Sequence, residues 1–132
     1  MVVRLLLGVL GVFHLANGLA MLLFPSAWAL QVVHLATPDH LHFHFITDIG
    51  MAFAASGAGL LLAARRGAAG AIWALAGAAW PLLHGLFHLK EWITDGPPPA
   101  MDGLVSEGVG VILVGVAGAC FAWIRYSQGD TR

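Results

Sequence analysis

The stretch HFHFITDIGMAFAASGAGLLLAARRG, residues 42–67, decides the fold class of this chain. Histidines stand at the start of an apolar run, and an arginine pair ends it. The run from Phe43 to Ala64 is long enough to cross a hydrocarbon core of ~30 Å as an α-helix. Only a helix of this length satisfies its own backbone hydrogen bonds in lipid. The stretch therefore predicts a transmembrane helix with polar groups at one end.

The composition of the whole chain supports the same class. Hydrophobic residues make up 59% of the 132 residues and charged residues 10%, against roughly 25% charged residues in soluble domains. The mean hydropathy is +0.84. A net charge of −1 offers no basic surface for nucleic acid. The single cysteine, Cys120, excludes an internal disulfide and a thiolate metal cage.

Four apolar segments predict an all-α integral membrane protein with four antiparallel transmembrane helices in one domain, residues 1–132. The predicted spans cover about residues 2–24, 43–64, 69–92 and 103–124. Between the first two spans, PSAWALQVVHLATPDHLH suits a short helix in the membrane interface. We expect this bundle to contact the lipid bilayer along most of its surface.

The basic residues predict the orientation of the bundle. Only Lys90 falls on one side of the four spans, whereas the arginines fall on the other: Arg4, Arg65, Arg66, Arg125 and Arg132. By the positive-inside rule both termini are cytoplasmic. This predicts a multi-pass protein of a bacterial inner (cytoplasmic) membrane. We call the opposite end of the bundle, where the second span begins, the outer end.

Two histidine motifs occur near the outer end. His44 and Asp48 are four residues apart, as are His84 and His88, so each pair shares one helical face. Because the short turn at residues 65–68 makes the second and third spans neighbours, the two pairs should lie at one depth and face each other. Imidazole and carboxylate ligands suit Cu, Fe or Zn. The sequence predicts a transition-metal site made of His44, Asp48, His84 and His88.

The other two spans add polar residues in the same half of the membrane. His14 and Asn17 in the first span are candidates for cofactor binding, or for an ordinary interhelical hydrogen bond. Glu107 in the fourth span is a candidate ligand, a partner that orients an imidazole, or a general base. Glu107 and Asp48 are therefore the predicted catalytic residues. For His44, Asp48, His84 and His88 together, the alternative to a metal or haem site is a hydrogen-bonded ion-pair network without a cofactor.

Small residues recur along three of the predicted spans. The chain has 17 glycines, many in segments such as ASGAG and AAGAIWALAGAA. Small faces let membrane helices approach closely. They predict either a tight bundle within one chain, or contacts in a homo-oligomer or larger membrane complex.

The four-span outline, with Pro25 ending the first helix and an ALQ linker after it, resembles the small DoxX-like bacterial membrane proteins. That resemblance covers the chain in outline and implies a link to quinone or sulfur redox metabolism. The element HGLFH, residues 84–88, is similar to the HxxxH motif of membrane di-iron desaturases and hydroxylases and of membrane zinc hydrolases.

Three functions fit these features. The first is metal-dependent redox chemistry or metal handling at the periplasmic face, which includes a membrane oxidoreductase. The second is electron transfer by a b-type haem held between histidines of the second and third spans. The third is a non-enzymatic subunit or small transporter that uses a His/Asp/Glu relay.

Overall fold

A computed structural model describes residues 1–32, 40–65 and 68–128, with the side chains of residues 40 and 41 excepted. Helices make up most of the described part. Its helices are α1 (Val2–Leu23), α2 (Pro25–Val32), α3 (His40–Ala63), α4 (Ala68–Asp95) and α5 (Met101–Ser127). Arg66, Arg132 and the end of the predicted interfacial stretch, residues 33–39, lie outside the described residues.

Four of these helices are long and apolar enough to cross a membrane, namely Val2–Leu23, His42–Ala63, Ala68–Asp95 and Met101–Ser127. They confirm the predicted spans, and α2 confirms the short helix between the first two. Pro25 begins α2 directly after Phe24, which suits proline because the first helical residue needs no intrahelical N–H bond. Four spans of this kind assign the chain to the integral membrane class.

Helix α5 changes its winding along its length. Met101–Gly103 is α-helical, Leu104–Leu113 is π-helical, and Val114–Ser127 is α-helical again. A π-helix has i→i+5 hydrogen bonds and is rare, and short examples are frequent at functional sites. The π-helical part contains Glu107, so it sets the direction of that carboxylate.

Glycines bring α1 and α3 into backbone contact. A Cβ added at Gly18 would lie 2.5 Å from the Ala54 nitrogen and 2.6 Å from the Gly50 oxygen. Nearer the start of α1, a Cβ added at Gly11 would lie 3.1 Å from the Gly57 oxygen of α3. Because α1 numbers rise as α3 numbers fall, the two helices are antiparallel. Their register is fixed where only glycine fits.

The other helix pairs also meet at small residues. A Cβ at Gly77 of α4 would lie 2.6 Å from the Leu60 nitrogen of α3, which confirms that the second and third spans are neighbours. A Cβ at Gly85 of α4 would lie 3.2 Å from the Val111 oxygen of α5. These small-residue faces bring neighbouring helices of the bundle into close contact, so they account for packing within the chain. The prediction of an oligomer is not tested by them.

Among the described residues, the core consists of two clusters, one towards each end of the bundle. The inner cluster contains Leu7, Leu60, Ala63, Ala74, Ala78 and Ala122. The outer cluster contains Met21, Ala29, Ile46 and Phe53. Helix α2 contributes Ala29 and is held against α1 by a hydrogen bond of 2.9 Å that Trp28 Nε1 donates to Asn17 Oδ1. The outer cluster lies beside the polar residues described next.

Candidate functional site

His84 and His88 lie on one face of α4, in edge-to-face contact with ring centroids 4.8 Å apart. One turn before His84, the buried Pro81 lies inside the continuous helix α4, where it donates no backbone hydrogen bond. Gly115 of α5 packs against the Pro81 carbonyl, where a side chain would collide with the α4 backbone. Proline and glycine therefore let α5 approach α4 closely just below the histidines.

His88 lies between two carboxylates. Its Nδ1 is 3.4 Å from Glu107 Oε2 on α5 and 3.6 Å from Glu91 Oε2 on α4. Both distances exceed the usual ~2.7–3.2 Å of a hydrogen bond, and this buried nitrogen makes no hydrogen bond with the described residues. Trp92 Nε1 donates a hydrogen bond of 2.8 Å to Glu107 Oε2, which holds the carboxylate at this place. We call His84, His88, Glu91 and Glu107 the His–Glu cluster.

A column of aromatic rings continues from the His–Glu cluster into the bundle. The His84 ring stacks on Trp80 with centroids 5.5 Å apart and meets Phe53 of α3 edge-on at 5.5 Å. On its other side, Phe53 stacks with His14 of α1 at 5.4 Å. Phe53 is thus the link between the imidazoles of α1 and α4.

His14 is 1% exposed. Neither of its ring nitrogens has a hydrogen-bond partner among the described residues, which is uncommon for buried polar groups. Asn17 does not pair with it, because Asn17 accepts the hydrogen bond from Trp28 of α2 and directs its amide nitrogen to Met21 Sδ at 3.8 Å. The interhelical hydrogen bond considered for His14 is therefore not seen in the described part, and Asn17 holds α2. Cofactor binding by either residue stays a prediction.

The structure places His44 and Asp48 apart from the His–Glu cluster. They pair with each other at 3.3 Å, with side chains 63% and 48% exposed. On a helix with about 100° per residue, His44 lies opposite Phe53, the α3 residue that faces His84. The rise along the helices predicted that His44 and Asp48 lie at the same depth as His84 and His88. The rotation of α3 about its own axis, however, directs His44 and Asp48 away from the His–Glu cluster.

Within the described ranges, no group of three or more His, Cys, Asp or Glu side chains is placed to hold a metal ion. The predicted set His44, Asp48, His84 and His88 is therefore not gathered into one group there. Its role as a ligand set, and the catalytic roles of Glu107 and Asp48, stay predictions. Of the candidates from different helices, the structure brings together His84, His88 and Glu107.

Three residues of this region were missed by the sequence analysis as parts of a site. Glu91 follows His88 by three residues, a spacing that puts two side chains on one helical face. Trp92 and Phe53 carried no such signal, because an aromatic residue in an apolar helix is ordinary. Only the packing of α5 and α3 on α4 reveals their contacts.

No family model, curated protein or solved structure matches this chain. The resemblance to DoxX-like proteins therefore identifies no family, and neither does the HxxxH element. The four candidate membrane spans are the part of that resemblance that the structure supports.

Proposed function

We propose that the His–Glu cluster is a proton-exchange site and that this membrane protein works as a proton-relaying subunit or small transporter. The observation that carries the proposal is the position of His88, whose Nδ1 lies 3.4 Å from Glu107 and 3.6 Å from Glu91. Imidazole and carboxylate groups both take up and release protons. Three such groups from two helices, with His84 beside them, form a short series.

The location of the cluster favours this function over simple packing. Ionisable side chains in a membrane span are costly and usually mark ion or proton pathways. The Glu91 side chain is 45% exposed and that of His88 is 20% exposed, so Glu91 is the more accessible of the two to water. Protons would enter at Glu91 and pass to His88, whose neighbours are Glu107 and His84. Phe53 has no exchangeable proton, so the proposed series ends at His84 and does not include His14.

Metal binding is the second candidate, because two distances favour it. Around a tetrahedral ion with bonds of ~2.1 Å, donor atoms lie about 3.4 Å apart, close to the 3.4 and 3.6 Å between His88 Nδ1 and the two carboxylates. Cu, Fe or Zn held by His84, His88, Glu91 and Glu107 would support redox chemistry or metal handling. This set replaces His44 and Asp48 of the sequence prediction by Glu91 and Glu107.

Infrared spectroscopy of the purified full chain tests the proton-exchange proposal. Difference spectra between H₂O and D₂O should show an exchange-sensitive carboxyl band that Glu107→Gln removes. His88→Gln should shift the frequency of this band, because it removes the imidazole nearest the carboxylate. His42→Gln, an exposed histidine at the start of α3, is the matched control and should leave the band unchanged.

A spectrum without any band that depends on Glu107 would refute proton exchange. Elemental analysis and a visible spectrum of the same preparation decide between the other functions. Stoichiometric Cu, Fe or Zn that His84→Ala removes would support the metal site. A Soret band would support the b-type haem, which the sequence analysis also considered.

A further inference from the structure

A groove runs along the outside of the bundle between α1 and the C-terminal part of α3. Its cavity volume is about 640 Å³, within the ~300–1,000 Å³ of typical ligand sites. Its lining includes Arg4, Leu5, Gly8, Val12, Leu61 and Ala64. It lies at the end opposite to the His–Glu cluster and shares no residue with it.

The shape of the groove depends on a glycine. A Cβ added at Gly8 would have only the Ala64 Cβ within 4 Å, at 4.0 Å, so the space in front of Gly8 is open. Along the rim, Val9 and Val12 of α1 are exposed and apolar. Within a membrane span, an open apolar groove is filled by a hydrocarbon chain, since water gains no hydrogen bonds there.

The length of the groove matches one leaflet of a bilayer. Its α1 wall extends from Met1 to Val12, which at ~1.5 Å per residue is about 16 Å. Half of a hydrocarbon core of ~30 Å is about 15 Å. A single acyl chain of the adjacent leaflet therefore fits along the groove from the interface to the membrane centre.

The end of the groove at the interface is positively charged. Arg4 Nε donates a hydrogen bond of 2.9 Å to the Ala64 carbonyl, which fixes the guanidinium between α1 and α3. This bond uses one of the five N–H donors of the side chain. Arg65 is exposed beside Ala64, and no Asp or Glu is among the residues that line the groove. An arginine held in this way presents a fork that matches a phosphate group.

We propose that this groove binds one anionic phospholipid, with an acyl chain along Gly8 and Val12 and the headgroup phosphate on Arg4. The site is independent of the proposed proton exchange. Because the guanidinium of Arg4 is held in a fixed position, it differs from a mobile basic side chain that only attracts the membrane surface. The lipid would fasten α1 to α3 at the end where both helices reach the interface.

Native mass spectrometry of the full chain in detergent tests the proposal. The protein is mixed with phosphatidylglycerol or phosphatidylcholine of identical acyl chains, and retained lipid is measured. The wild type should retain phosphatidylglycerol preferentially. Arg4→Gln should reduce that preference roughly fivefold, the typical effect of one basic residue on an anionic lipid. Arg4→Lys should keep only part of it, because lysine has the charge without the fixed guanidinium fork, and Lys90→Gln, at the outer end, should change nothing.

Gly8→Leu should lower retention of both lipids, because the new side chain occupies the groove. Its matched control is Gly110→Leu on α5, where an added Cβ meets only the Val105 oxygen of its own helix, at 4.0 Å. Val9→Trp, which narrows the groove from its exposed rim, repeats the test if Gly8→Leu does not fold.

Four results would overturn the inference. The first is equal retention of the two lipids by the wild type, and the second is equal behaviour of Arg4→Gln and Lys90→Gln. The third is displacement of the lipid by inorganic phosphate alone, which would show a simple anion site. Unchanged retention in both Gly8→Leu and Val9→Trp would likewise place the lipid elsewhere.

Discussion

Gly18→Ala should weaken the bundle at the contact between α1 and α3. The added Cβ would lie 2.5 Å from the Ala54 nitrogen and 2.6 Å from the Gly50 oxygen, whereas ordinary contact begins at 3.4 Å. Both neighbours are backbone atoms, so no side chain can rotate to make room. The helices must separate, and the close approach at Gly11 is lost with them. Overpacking of this kind costs about 1–3 kcal/mol.

The measurement is the free energy of unfolding, from circular dichroism during titration of mixed micelles with sodium dodecyl sulfate. Gly8→Ala is the matched control on the same helix, because its Cβ would be 4.0 Å from the nearest atom, the Ala64 Cβ. We expect a change within about 0.5 kcal/mol for Gly8→Ala. Equal free energies of unfolding for Gly18→Ala and Gly8→Ala would refute the packing of α1 on α3 described above.

Three further predictions concern the interior, the His–Glu cluster and the topology. His14→Phe should keep or raise the free energy of unfolding, by up to about 1 kcal/mol, because it removes two buried nitrogens without partners; a loss above ~2 kcal/mol in the same titration would mean that His14 has a partner. Trp92→Phe should lower that free energy by about 1 kcal/mol by removing the hydrogen bond to Glu107. In a Glu107→Gln background, Trp92→Phe should lower the free energy of unfolding by less. A reporter fused after Arg132 should be active only as a cytoplasmic fusion and one inserted at Pro98 only as a periplasmic one, given the one-sided arginines; activity on the same side would contradict the four-span topology.

The amino-acid sequence by itself determined the spans and the depth of the polar residues. Each span is a long apolar run, which can be recognised locally because lipid tolerates no unpaired backbone and few charges. Depth follows from the constant rise of ~1.5 Å per residue. Counting from the turn at residues 65–68 therefore placed His84 and His88 towards the outer end, with Glu107 entering from the same end.

Only the tertiary structure decided which way those residues face. The close contacts of Gly18 and Gly57 with the opposite backbone set the rotation of α3, so that Phe53 meets His84 while His44 and Asp48 point away. On α5, the π-helical winding carries Glu107 to His88. Rotation about a helix axis is not a local property, because it depends on which small residues let two backbones touch. The sequence of a single segment shows how deep a side chain lies in the membrane. Which residues that side chain contacts across the bundle is set by the packing of the helices.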